Sequence, residues 1–528
     1  MLNTLMKPKT LQFILAFSVV VLTTGFLRLQ LIFGLPNTDD GWYTFLCQRI
    51  WEGIFSGSEN RLLNGQLELY PFMTSWVFGL EVNQFILLRL IDGLVAITAS
   101  IIFFKVILKE SGSTLFTVIL MATLLVLMND SGNIAYGFKN SIWAAYLPLF
   151  TALLVWQKSS KADTFSFYVI GALVSLGVLL REPFLPFFLL AGFAILIGYG
   201  WRALVKYLIG SAILGFSVLA VVLSLRGWDL LDLINSYVGG PIQSAVHWWI
   251  WDIEANAKRV LEMAVDTIKT SWFICITALA SIIYLIRLYI TDKKSVRMNR
   301  FYFWLAVALL PLLEWVFKFG LPYHLANCLP GLAGLSAMGW KYINSNESKQ
   351  VTTSSMIVIG LMSLIVIVST VNRTIIKSDN ILSPSDAIER IGMLDLFRGQ
   401  HNIEKSQYLI AARKIYELSR EDSTLAVAGF WQALYPLTNL LPPALEFASL
   451  RSLFLNLSSS EDKLINTLKE YRPTLILTSP PSLMAGEADF SSIVEKTNLY
   501  NKVGEVPKNL ETAHGFLSGS IYRLKDFK

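Results

Sequence analysis

The sequence predicts an all-α membrane bundle of about eleven transmembrane helices, followed by a small α/β domain on the outer side of the membrane. Three observations carry that expectation: a mean hydropathy of +0.53, a charged fraction of 16% over 528 residues, and a series of apolar runs separated by short basic loops. Soluble chains carry about 25% charged residues, so the deficit here calls for a solvent that tolerates apolar surface. The bilayer is that solvent. An aromatic content of 13%, with 15 Trp, suits belts at both membrane faces. The formal charge of +6 is spread through the loops rather than gathered on a soluble surface, which argues against nucleic acid as a partner. Cys47, Cys275 and Cys328 are scattered, with neither metal-ligand spacing nor a disulfide framework.

A span needs about 20 apolar residues. Such runs fall near 11–33, 84–104, 114–129, 141–156, 165–181, 183–200, 206–225, 270–289, 301–318, 322–340 and 353–371. The first follows Lys7 and Lys9, is too long for a signal peptide and lacks a small-residue cleavage site, so it reads as a retained span. Arg181-Glu182-Pro183 breaks one long apolar region into two, because Pro interrupts a helix and the charges favour an interface; a tight hairpin is expected there. With a cytoplasmic N-terminus, the inside loops hold Lys7 and Lys9, Lys105 and Lys109, Lys158 and Lys161, Arg202 and Lys206, Lys293, Lys294, Arg297 and Arg300, and Lys341 and Lys349. The outside connections are poorer in cations, Lys139 and Arg181 excepted. The positive-inside rule supports this alternation. It divides the chain into a transmembrane domain, 1–372, and an extracytoplasmic domain, 373–528. Outer loops 34–83 and 226–269 share the face of that second domain. Compact loops and the lack of a reticulum retrieval signal point to a bacterial inner membrane.

The C-terminal region changes character. Helices are expected near 384–396, 403–419 and 461–471, with strands near Thr424–Gly429, Pro473–Ser479 and 519–524, the alternation of a small α/β layer. It contains no Gly-rich phosphate loop and no catalytic signature, so a lid or acceptor-docking platform is the expected role.

Chemistry concentrates just after the first span, in Pro36-Asn37-Thr38-Asp39-Asp40-Gly41-Trp42-Tyr43. Two adjacent carboxylates stand where the chain leaves the membrane. Thr38 or Asp39 could cap a helix beginning at Trp42, but a cap needs only one of them. Residues 42–54 read as an amphipathic helix, with Trp42, Phe45, Leu46, Ile50 and Trp51 on an apolar face and Arg49 and Glu52 on a polar one. A second interfacial stretch, Leu67 to Trp76 around Tyr70-Pro71, precedes re-entry into the membrane.

Residues 1–110 with these motifs resemble the start of a GT-C type integral membrane glycosyltransferase. This polyprenyl-phosphate-sugar-dependent family includes the protein O-mannosyltransferases and the lipid A aminoarabinose transferases. Asp39-Asp40 stands at the family's acidic motif. Tyr70-Pro71 resembles its Tyr-Pro-Pro or Lys-Pro-Pro motif, with Phe72 replacing the second Pro, so a phosphate-binding Lys at that position is absent or relocated. The resemblance implies a GT-C-like fold and a polyprenyl-phosphate-sugar donor already on the outer face. It also implies transfer to a glycan, lipid or protein acceptor in one inverting displacement. Asp39 or Asp40 would be the general base, Asp39 being preferred because its neighbour is left to bind the sugar or cap the helix. Some relatives use a divalent cation. Asp39-Asp40 is the acidic pair that such an ion would meet here, and no other cofactor is implied.

The leaving lipid phosphate needs cations at the outer face. Arg181 is one candidate, with a salt-bridged hairpin to Glu182 as its structural alternative. Lys139, Lys318 and His324 are the others. Trp248 and Trp249 of the long outer loop either stack on a sugar or anchor the interface. Arg89 and Asp92, three residues apart, read as a structural pair within the second span. The competing functions are a transporter or flippase of lipid-linked saccharides, a glycan polymerase or ligase, and a membrane scaffold that displays the C-terminal domain.

Overall fold

The computed structural model describes residues 38–53, 69–80, 84–129, 140–159, 165–181, 184–226, 253–291, 298–309, 311–312, 326–347, 349–376, 406–429, 431–457, 459–480, 488–509 and 517–526, with short pieces at 14, 18–25, 27–28 and 231. In a bilayer each segment must bond its own backbone polar groups, because no water is at hand to do so. The described chain meets this demand with helices. Two short ones come first, α1 (Thr38–Trp51) and α2 (Leu69–Thr74), the latter continuing as a 3-10 turn over Ser75–Gly79. Then follow α3 (Gln84–Ser111), α4 (Thr114–Met128), α5 (Asn140–Lys158), α6 (Ser166–Leu180), α7 (Leu185–Tyr199) and α8 (Trp201–Arg226). The bundle closes with α9 (Ile253–Thr291), α10 (Met298–Leu309), α11 (Leu329–Asn346) and α12 (Lys349–Ile376).

Four helical stretches are long and apolar enough to cross a membrane, Gln84–Ser111, Trp201–Ser224, Val260–Thr291 and Thr352–Val371, and several shorter apolar helices accompany them. The expected second to eleventh runs each overlap a described helix, the ninth and tenth only in part because 313–325 lie outside the described residues, and the first is described only in pieces. One of those pieces, Val21–Gly25, is a π-helical turn.

Local chemistry sets the turns. Gly112, at φ 66°, reverses the chain between α3 and α4, and the Ser113 hydroxyl accepts from the Phe116 N–H at 3.4 Å to start α4. Gly200, at φ 87°, does the same between α7 and α8. Both φ values lie where a Cβ is penalised and glycine is not. The described residues flanking the hairpin expected at 181–183 agree with it: Arg181 leaves the helical conformation as the C-cap of α6, the Phe184 N–H donates to its carbonyl at 3.1 Å, and α7 begins at Leu185. Where α6 crosses α8, small residues bring the backbones together, as apolar solvent requires of packing-driven association. A Cβ on Gly171 would lie 2.0 Å from the Tyr207 carbonyl oxygen, and one on Gly210 would lie 2.1 Å from that of Tyr168. Ser211 Oγ donates to the Gly171 carbonyl at 3.0 Å.

The helix ends sort into two faces. At one end, the Arg28 side chain reaches α3 and α4, and Tyr146 of α5 meets Phe184 and Asn327. At the other end, Glu110 of α3 pairs with Arg300 of α10 at 3.2 Å and accepts from Gln157 of α5 at 2.8 Å. That far end gathers Lys109, Lys158, Arg300 and Lys341, four of the cations assigned above to the inside loops.

Beyond the bundle come α13 (Gln407–Leu418), β1 (Leu425–Val427), α14 (Leu434–Thr438), α15 (Leu450–Asn456), α16 (Glu461–Tyr471), β2 (Leu475–Thr478), α17 (Phe490–Lys496), β3 (Tyr500–Val506) and β4 (Gly519–Leu524). The sheet order is β1-β2-β4-β3, with β1 and β2 parallel and the other pairs antiparallel. Strand side chains alternate between faces, so Leu425, Val427, Leu475 and Leu477 pack on one side with Tyr408, Trp431 and Leu434. Ala426 and Ile476 pack on the other side with Leu464, Leu468 and Ile493.

Several expectations are corrected. The α/β reading holds, but β3 was not expected: its central residues are exposed or half-buried on an edge strand, so no apolar alternation marks it. Outer loop 226–269 is partly helical, since α9 begins at Ile253 and bends at Ser271, where the hydroxyl bonds back to the Thr267 carbonyl at 2.6 Å. The helix expected near 384–396 lies outside the described residues.

The α6–α8 contact yields a paired prediction. Gly171→Ala should destabilise the detergent-solubilised protein by about 1–3 kcal/mol through overpacking against backbone. Gly198→Ala, with nothing within 4 Å of its new Cβ, should leave thermal stability unchanged or slightly raised.

Candidate active site

The acidic motif lies inside a helix rather than before one. α1 begins at Thr38, so residues 38–40 form its first turn, and capping of a helix that starts at Trp42 is not the arrangement found. The side chains of Asp39 and Asp40 lie outside the described residues, as do Lys139, Lys318, His324, Trp248 and Trp249. The expected amphipathic pattern of this helix also fails. Arg49, assigned to a polar face, is 2% exposed, whereas Trp51, assigned to the apolar face, is 50% exposed. The reason is tertiary: α1 is covered on both sides, by the membrane bundle and by the C-terminal domain.

Toward the bundle, Tyr43 meets Tyr70 of α2 edge-on, ring centroids 6.1 Å apart, and Cys47 Sγ lies 3.3 Å from Thr74 Oγ1. Burial pushes the Cys47 thiol up to about 12, against the opposing Thr74 hydrogen bond and Arg49 charge. Burial also holds Arg49 down to about 9, which leaves it cationic at neutral pH. In α2, Tyr70 and Pro71 are buried while Met73 and Trp76 face outward. Pro71 is tolerated because it stands in the first turn, where its missing N–H has no partner to lose. The Tyr70 hydroxyl is buried with no hydrogen-bond partner. Burial, reinforced by the nearby Asp92 charge, keeps its pKa well above 10. It is a protonated donor aimed at no acceptor within the described protein, the kind of group a bound oxygen would satisfy.

Beneath it lies a polar cluster in which sequence reasoning had marked only Asp92. Arg28, at the end of the first span, forms a buried ion pair with Asp92 of α3. Its Nε donates to Asn129 Oδ1 at 2.8 Å, and its guanidinium carbon lies 5.7 Å from the Trp143 ring centroid. Asp92 thus has an ion partner from another span, which the reading of Arg89 and Asp92 as a pair did not include. The signal for Arg28 was present, a charge within the apolar run Phe26-Leu27-Arg28-Leu29. Asn129 and Asn327 carried no such mark.

Arg181 is 4% exposed, and its guanidinium carbon lies 5.8 Å from the Phe184 ring centroid. Next to it, Tyr146 packs on Phe184 at 5.1 Å and donates to Asn327 Oδ1 at 3.1 Å. Here a narrow apolar crevice lies among α5, α7, α10 and α11, lined by Tyr146, Phe184, Phe187, Trp304 and Asn327 among others. A further small apolar pocket shares Leu153 and Phe187 with it and runs on to Trp156, Ile195 and Phe303. From Tyr146 to Trp156 along α5 is about 15 Å at 1.5 Å per residue. The two together form an apolar groove with its polar groups at one end. α2 packs on α5 and α6 near that end. Among the described residues, no three His, Cys, Asp or Glu side chains gather as a metal site would require.

A polytopic helical bundle capped by a small α/β domain, with short helices between them, is the architecture of the GT-C membrane glycosyltransferases. Over 97% of this chain and 98% of that one, the fold is similar to the crystal structure of ArnT from Cupriavidus metallidurans bound to undecaprenyl phosphate, with a TM-score of 0.52 at 11% identity. No protein-family model and no curated protein matches the sequence. The expected helical bundle with a small C-terminal sheet is therefore met, the number of spans apart, and at that identity the likeness is one of fold.

Two predictions follow from the cluster and from α1. Arg28→Met should cost about 3–5 kcal/mol, because it strips a buried carboxylate of its cation. Adding Asp92→Leu should recover part of that loss in thermal denaturation. Cys47 should alkylate at pH 8.5 on the order of 10³-fold more slowly in the native protein than after denaturation, since its raised pKa withholds the thiolate. The linked stability is present below pH 9, the ordinary thiol value, and is lost as the pH rises toward 12.

Proposed function

We propose that this protein is an integral membrane glycosyltransferase that moves a sugar from a polyprenyl-phosphate-linked donor to an acceptor at the end of the bundle carrying α1 and the C-terminal domain, the extracytoplasmic face. The observation that carries this reading is the apolar groove ending beside Arg181, Tyr146 and Asn327. Its apolar walls match a hydrocarbon chain in chemistry, and the Arg181 guanidinium beside Phe184 matches a phosphate. The similar fold of ArnT, crystallised with undecaprenyl phosphate, supports the same class of donor. A bacterial inner membrane and a cell-envelope glycan, lipid or protein acceptor complete the proposal.

The chemistry balances in one displacement. The acceptor hydroxyl oxygen attacks the anomeric carbon from the side opposite the phosphate. As the new bond forms, the old carbon–oxygen bond breaks and its electron pair leaves with the polyprenyl phosphate, so the anomeric configuration inverts. The hydroxyl proton passes to Asp39 or Asp40, a general-base contribution worth about 10²–10⁴-fold. Arg181 offsets the charge growing on the phosphate, with Lys139, Lys318 and His324 as further cations of the same face. The Tyr70 hydroxyl donates to a substrate oxygen beside Pro71. Trp248 and Trp249 serve the sugar or the membrane interface.

Mass spectrometry of surface glycans and lipid A from a deletion strain, complemented at matched protein levels, tests this reading. Wild type should restore a lost sugar, and Asp39→Asn or Asp40→Asn should lower transfer by about 10²–10⁴-fold. Full restoration by both variants would remove the general-base assignment. Arg181→Gln should weaken binding of the polyprenyl-phosphate donor, and an unchanged affinity would reject its phosphate role.

A further inference from the structure

The helix that carries the acidic pair is shared between two domains. Gly41, the residue after Asp40, meets the C-terminal domain backbone to backbone: a Cβ at Gly41 would sit 2.2 Å from Ala433 Cα. One turn on, Phe45 and Leu46 are fully buried in the same apolar cluster as Tyr408, Trp431 and Leu434. Phe45 packs on Tyr435 with ring centroids 4.6 Å apart, and the Tyr435 hydroxyl donates to the Phe447 carbonyl at 3.2 Å, which ties the ring to its own domain. A further turn on, Gln48 Nε2 donates to Asn439 Oδ1 at 2.8 Å. Asn439 holds a left-handed conformation, φ 55°, that ends α14. These contacts repeat at helical spacing and fix the rotation of α1, its depth and its axial position.

A helix of 14 residues is marginal on its own and depends on packing for its place. A catalytic group displaced by about 1 Å can lose about 10²-fold in rate. We propose that the C-terminal domain is a positioning element of the transfer site: Ala433, Tyr435 and Asn439 set where α1 presents Asp39 and Asp40 to the donor. This rests on the transferase reading above and gives the C-terminal domain a task beyond that of a lid or docking platform.

The test uses the full-length protein in nanodiscs, with a polyprenyl-phosphate sugar as donor, and follows two readouts: kinetics and amide hydrogen exchange over 38–51. Gly41→Ala should lower kcat about 10²-fold while the donor KM stays within about twofold, because the groove is untouched. Exchange over α1 should rise. A milder pair guards against misfolding. Asn439→Gly keeps the left-handed backbone and removes the bond to Gln48, so kcat should fall about two- to tenfold, the equivalent of one net hydrogen bond. Asn439→Asp keeps the accepting oxygen and should rescue it. Wild-type kcat in both Gly41→Ala and Asn439→Gly overturns the positioning role alone, as does a loss in Asn439→Gly that is equally large in Asn439→Asp. A wild-type chain that moves sugar from no lipid-phosphate donor overturns the transferase reading and the positioning role with it.

Discussion

The capped end of the bundle is organised around the buried ion pair of Arg28 and Asp92. Charges inside a membrane domain are costly unless paired and hydrogen-bonded. This pair gathers its compensation from several helices: Arg28 ends the first span, Asp92 lies on α3, Asn129 terminates α4, and Trp143 near the start of α5 presents its ring to the guanidinium. Once that cost is met, the four segments are tied in one register. The floor under α2 and Tyr70 is then fixed. What breaks the pair therefore reaches beyond two residues, to the geometry of every element above it.

From that floor the site is built by contrast of polarity. The groove behind Tyr146 and Phe184 is walled by aromatic and aliphatic side chains, and its polar groups lie at one end. On the proposed reading, these walls face the apolar chain of an amphiphilic donor and the polar end faces its charged head. A soluble nucleotide sugar would leave the walls unused. The opposite end of the bundle is closed by a network of a different kind, in which Glu110 holds Arg300 and Gln157 together. Its role reads as structural, locking three helix ends where the loops are short.

The C-terminal domain shares its larger apolar cluster with α1 and with Phe85 of α3. Two domains with one continuous core are not free to move as separate bodies without exposing that core to water. The sheet face turned toward the bundle is the one lined by Leu425, Val427, Leu475 and Leu477, and the opposite face is closed by α16 and α17.

Much of this was legible in the sequence. Hydropathy located the helices between Gln84 and Ile376, because a bilayer leaves no alternative to helices for apolar runs of this length. The break at Arg181 and the early acidic motif pointed to one face and one family. The α16 helix and the last strand fell where their patterns indicated. Other features were beyond it. The edge strand β3 is polar on its open side and carries no alternation. Arg49 reads as a surface residue and is buried, on a helix that packs both on the bundle and on a domain almost four hundred residues away in the chain. Asp92 has a near neighbour of opposite charge in its own helix, and its ion partner comes from another span. Sequence by itself determined the solvent, the helices and the residue types available for chemistry, since these follow from local composition and period. Tertiary structure alone decided which charges pair, how α1 is held and where the groove opens, since each depends on contacts between segments that no local pattern encodes.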